Sequence, residues 1–171
     1  MKKLFILFLA ITLTLCACGV RTDDSSSAAE STASGSKLSR ADDEILLTFE
    51  GASVEQMTVG EFMALEQMTV ELTRTNSKGK TTTGAYTGVH WKTLAEAIGA
   101  QNAQSVKVVA SDGFEQAYPM EVLMAPNSLF AVYKDGEPIT EEDGNGQVWF
   151  CADEEFTANY WTKFIVKIVA K

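Results

Sequence analysis

The side chains of this 171-residue chain best suited to chemistry are few: three cysteines, Cys16, Cys18 and Cys151, and one histidine, His90. Thiolates and imidazoles serve as nucleophiles and as soft metal ligands, but only in company. A zinc site takes about four ligands, and His90 has neither these nor a Ser or Cys nucleophile at readable spacing. It reads as a surface residue at a helix start. Cys151 closes the apolar run VWFC, where a free cysteine behaves as a small hydrophobe. Glu141, Asp143, Asn145 and Gly146 occupy the first, third, fifth and sixth places of an EF-hand-like loop. Its twelfth place is Ala152, where a bidentate glutamate belongs, so an acidic turn is the reading. Met57, Met63, Met68, Met120 and Met124 are scattered over apolar faces and read as core. No catalytic residue and no metal-ligand set is assigned.

Cys16 and Cys18 have a different context. Lys2 and Lys3 precede an apolar run from Leu4 to Leu15, shorter than the roughly 20 residues that span a bilayer and typical of an export signal. The run ends Leu15-Cys16-Ala17-Cys18-Gly19, which resembles a bacterial lipobox. Cys18 fits as the lipidated residue because Leu15 stands three places and Ala17 one place before it. Cys16 would put Leu15 at the cleavage position, where small residues belong. The pattern predicts a signal peptide over 1–18 and a lipid anchor on the extracytoplasmic face of a membrane. A diacylglyceryl group plus a further acyl chain suffices for stable attachment.

Residues 19–44 are rich in Ser, Ala, Thr and acids and contain no aromatic residue. Such a stretch buries too little apolar surface to offset its ordering entropy, and it reads as a disordered tether. Residues 45–171 have the length of one domain. The formal charge is −9, more negative still once Lys2 and Lys3 leave with the signal. This argues against nucleic acid as a partner, which rewards clustered cations.

The elements that would position any site follow from periodicity. In YTGVHWKTLAEAIG, residues 86–99, Trp91, Leu94, Ala95 and Ile98 recur at helical spacing between an entry at Gly88 and a stop at Gly99. They predict one buried face, packed on strands over 106–109 and 164–168. Thr58 and Glu61 have capping-box spacing for a helix over 59–66. Met68, Val70 and Leu72 alternate with polar residues as a half-buried strand, which the turn 76–80 returns over 81–87. Further strands are expected over 45–49, within 105–113 up to its Asp-Gly turn, and over 114–118, 129–133, 148–151 and 164–170, with a short helix after Pro119 over 120–124. Trp161 closes the core in this reading, while Phe156 and Tyr160 are left between core and a ligand groove. Short strands and helices without regular alternation point to an α+β fold.

The order of these elements is itself informative. An aromatic-Thr-Gly-Val entry, a Leu-rich helix, a strand closed by Ser111-Asp112-Gly113-Phe114, and then LFAVYKDGEPI together resemble the molybdopterin-binding domain of the sulfite oxidase family, over roughly 46–170. The resemblance implies a single α+β domain with mixed β-sheets and short helices. It also implies molybdopterin as a possible cofactor, with a cysteine in the loop after the 68–73 strand donating a thiolate to molybdenum. That loop reads Arg74-Thr75-Asn76-Ser77 here. Arg74, Lys78 and Lys80 are the cations it offers a pterin phosphate, and Gly144-Asn145-Gly146-Gln147-Val148 lacks the arginine of the matching segment in relatives. The expectation is an anchored binding or accessory module with no cofactor and an unspecified small ligand or protein partner. A molybdopterin-dependent oxidoreductase and a cell-surface adhesion or assembly component remain as alternatives.

Overall fold

The computed structural model describes residues 40–140 and 147–171. The signal sequence, Cys18, the tether up to residue 39 and the acidic loop 141–146 lie outside the described residues. In chain order the elements are β1 (Ile45–Glu50), β2 (Gln56–Thr58), α1 (Val59–Met63), β3 (Met68–Thr75), β4 (Thr81–Val89) and α2 (Trp91–Ile98). They continue with β5 (Val106–Ala110), β6 (Glu115–Tyr118), α3 (Met120–Leu123), β7 (Leu129–Lys134), β8 (Glu137–Pro138), β9 (Val148–Cys151), a 3-10 turn (Ala158–Tyr160) and β10 (Thr162–Ala170).

The strands run in the order β2-β1-β10-β9-β7-β4-β3, and β5 branches from β10 to carry β6. Only the β1–β10 pair is parallel among the described strands. β10 belongs to two groups of strands: its start pairs with β9, and its remainder lies between β1 and β5. The change of partner coincides with register shifts on both sides and with a positive φ of 54° at Phe164. A bulky residue in that region is unusual, and here it ends the regular alternation of the strand. The result is the mixed-sheet α+β domain with short helices that the sequence predicts.

Helix α2 buries Trp91, Leu94, Ala95 and Ile98 on one face, and Gly99 ends it in the left-handed conformation, φ 72°. Only glycine enters that region without a Cβ penalty. The entry differs from expectation. Gly88 lies inside β4, where an added Cβ would stand 2.0 Å from the Phe130 carbonyl oxygen of β7, so this glycine permits close strand approach. The N-cap is His90, whose Nδ1 accepts from the Lys92 N–H at 3.1 Å. The Thr58–Glu61 capping box forms as predicted, although α1 stops at Met63. Strands β2 and β8 are too short for periodicity to reveal.

Two apolar clusters result. The larger places Trp91, Leu94 and Ile98 with Val106, Val108, Ile165 and Ile168, the packing that helical spacing predicts. The smaller joins Leu72, Tyr86, Leu129, Ala131, Ile139 and Cys151. β9 serves both by alternation: Val148 and Phe150 face the larger cluster, Trp149 and Cys151 the smaller. Residues 40–44 are tied to the domain as well, since the Gly60 and Val59 N–H groups donate to the Asp42 and Glu44 carbonyls.

Candidate functional site

The same alternation builds a site. Along β3, Met68, Val70 and Leu72 face the smaller cluster, and two residues on, Arg74 continues that row. It stands opposite Thr82 of β4, while Tyr86 lies opposite Lys134 of β7. The apolar row thus ends in a polar rim. Arg74, Asn76, Lys80, Thr82, Tyr86, Lys134, Trp149, Trp161 and Lys163 enclose a cavity of about 120 Å³. Four of its walls are cationic and none is a carboxylate.

Lys163 reaches this cavity because of the Phe164 backbone. In a regular strand, neighbours point to opposite faces. Here Lys163 Nζ lies 4.2 Å from the centroid of the Trp149 ring, and Phe164 meets the same ring edge-on at 5.7 Å. Arg74 stands over Trp161 with Cζ 5.7 Å from the ring centroid, and Trp161 packs edge-on against Tyr86 at 5.2 Å. Among the described residues, the carboxylate that pairs with one of these cations is Asp135, 3.8 Å from Lys134 Nζ, and its other carboxylate oxygen accepts from the Ala85 N–H at 2.8 Å.

The electrostatics follow from this crowding. Burial, then Arg74 and Lys134, hold the Lys163 ammonium below the usual lysine range. Burial above all pushes the Tyr86 hydroxyl up to about 12, so it stays a neutral donor at physiological pH. Arg74 Nε and the Trp149 indole nitrogen are buried without a protein acceptor. Buried donors are normally paired, and these two depart from that rule. Beneath the cavity, Cys151 is 0 % exposed, and burial raises its thiol far above the ordinary range against the opposing pull of Arg74 and Lys163.

Arg74 and Trp161 also line a neighbouring slot of about 290 Å³ with Thr73, Thr75, Glu154, Phe156, Thr157 and Ala158. There Glu154 Oε1 accepts from the Thr73 N–H on the outer edge of β3 at 2.6 Å.

A family model described as the oxidoreductase molybdopterin binding domain matches residues 44–170. The chain belongs to this family. The structure of the sulfane dehydrogenase SoxCD from Paracoccus pantotrophus is similar to it, with a TM-score of 0.62 and 14% identity. The match covers 75% of this chain and 38% of that one, so this chain spans well under half of that structure's chain. A search of curated protein sequences finds no match.

Of the residues singled out from sequence, this molybdopterin-family domain brings Arg74 and Lys80 into the cavity and leaves Lys78 out of its lining. His90 is a helix cap rather than a free surface group: with Nδ1 accepting, Nε2 carries the proton and faces the Ala125 carbonyl oxygen at 3.2 Å. Trp161 is a cavity wall as well as a core contact. Phe156 and Tyr160 pack partly against the larger cluster, and Phe156 also lines the slot. Tyr86, Lys134, Trp149 and Lys163 were not singled out as site residues. Strand alternation was the available signal, but it does not say which strands become neighbours.

Proposed function

We propose that this chain is a lipoprotein anchored through Cys18 on the extracytoplasmic face of the membrane. Its family domain acts there as a binding or accessory module without the molybdenum-ligating thiolate. The observation that carries this reading is the chemistry of the cavity. Its walls supply cations and hydroxyls, which suit oxyanions. Molybdenum in this family would call for a deprotonated soft ligand. The one cysteine among the described residues, Cys151, is sealed under the cavity floor with its proton held firmly.

A molybdopterin-dependent oxidoreductase is the second reading. Family membership favours it, and the four cations suit a pterin phosphate. Metal content decides between the two. Full-length protein from a host that makes and exports molybdopterin is expected to contain no stoichiometric molybdenum and to absorb only in the aromatic band. Thr75→Cys or Asn76→Cys is not expected to restore binding, because the cation pattern is altered as well. About one molybdenum per unmodified chain would overturn the first reading and establish the second.

A further inference from the structure

We propose that the groove between α2 and α3 is a binding site for a soft monovalent cation of the copper(I) or silver(I) class, held by the thioether sulfurs of Met120 and Met124. The groove shares no lining residue with the Arg74 cavity, and the inference does not depend on what that cavity holds.

Placement is the first observation. The Met124 N–H donates to the Met120 carbonyl at 2.9 Å, so the two residues stand one helical turn apart on the same side of α3. Both line one groove of about 300 Å³. Thioethers are neutral and polarizable, and they select copper(I) over metals that prefer oxygen or nitrogen.

The second observation is that core packing does not account for Met124. Met57 is buried, and Met63, Met68 and Met120 pack on the two apolar clusters. The reading of the methionines as core holds for these four. Met124 belongs to neither cluster and is 45 % exposed. A metal ligand must be reachable from solvent, and Met124 is the methionine that is open.

The third is the surroundings. Trp91 and Ala95 give the groove an apolar wall, and Lys92, Glu96 and Gln101 complete it. Lys92 and Glu96 stand one turn apart on α2 and offset each other's charge. A locally neutral, largely apolar groove disfavours a divalent ion, which gives up more hydration than a monovalent one. Neither cysteine nor histidine lines it, so zinc finds no thiolate or imidazole there. The Glu96 carboxylate and the Gln101 amide carbonyl supply oxygens for the remaining coordination.

The test uses full-length protein in detergent, labelled with carbon-13 at the methionine methyl groups and with its accessible thiols capped by N-ethylmaleimide. It is titrated with silver nitrate in chloride-free buffer, which supplies the soft cation without the redox chemistry of copper. The Met120 and Met124 methyl resonances, assigned through Met120→Leu and Met124→Leu, should shift together and saturate at one silver per chain. Those of Met57, Met63 and Met68 should stay in place. Copper(I), added anaerobically with ascorbate, should move the same two resonances, and zinc sulfate should move neither. Leucine keeps the volume and apolar character of methionine, and thermal unfolding of the metal-free variants monitors the fold. Each leucine variant should weaken silver by at least the roughly 10–100-fold that a group behind a metal ligand is worth. The proposal fails if Met120 and Met124 shift no more than Met57, if only one of the pair shifts, if zinc moves them equally, or if both leucine variants bind silver like the parent.

Discussion

Lys163 and Phe164, successive residues of β10, both pack on the Trp149 indole, the ammonium 4.2 Å from the ring centroid and the phenyl ring edge-on at 5.7 Å. A positive φ at Phe164 makes this possible. The local departure from strand geometry carries a cation from the outside of a sheet into a cavity, and such departures cluster at functional sites.

The titration of Lys163 follows from that position. Burial, Arg74 and Lys134 depress the Lys163 ammonium below 10.5, with the Cys151 thiol below it as the opposing influence. Asp135 faces Lys134, and Tyr86 keeps its proton until about 12. Lys163 should therefore stay charged near neutral pH and lose its proton as pH rises, beginning before an ordinary lysine would titrate. Lys163→Arg keeps its charge throughout and should remove that step. Proton titration of the folded protein across the alkaline range checks this, and identical curves for the parent and the arginine variant would refute it.

Leu94 is 0 % exposed within the larger cluster. Leu94→Ala should cost about 2–5 kcal/mol, the range for a buried leucine that leaves a cavity behind. Denaturant titration measures it. A loss below about 1 kcal/mol would mean that α2 does not hold this face against β5 and β10.

His90 caps α2 through Nδ1 and meets the Ala125 carbonyl through Nε2. His90→Ala removes both contacts and should cost about 1 kcal/mol, while His90→Asn, a good N-cap, should recover much of that. Equal stability of the two variants would show that the cap contributes nothing.

Anchoring is tested at the two neighbouring thiols. Cys18→Ala should leave an unprocessed or unlipidated precursor, whereas Cys16→Ala should mature normally. Metabolic labelling with a fatty acid reads both, and the reverse pattern would move the acceptor to Cys16.

The sequence alone determined the local elements. The apolar face of α2, the Thr58–Glu61 capping box, and the strands from Met68, Leu129 and Val148 all rest on short-range spacing, and each formed within a few residues of its predicted bounds. The family resemblance was legible for the same reason, because it lay in the order of such elements. Arg74 was visible as a cation after a strand, but Lys134 and Lys163 lay far along the chain among residues with no shared pattern. Only the tertiary structure decided that β3, β4, β7 and β9 would lie side by side and that β10 would change partners at Phe164. The cavity depends on those long-range pairings. Periodicity says which face of a strand a side chain occupies, and the pairing of distant strands decides what it faces.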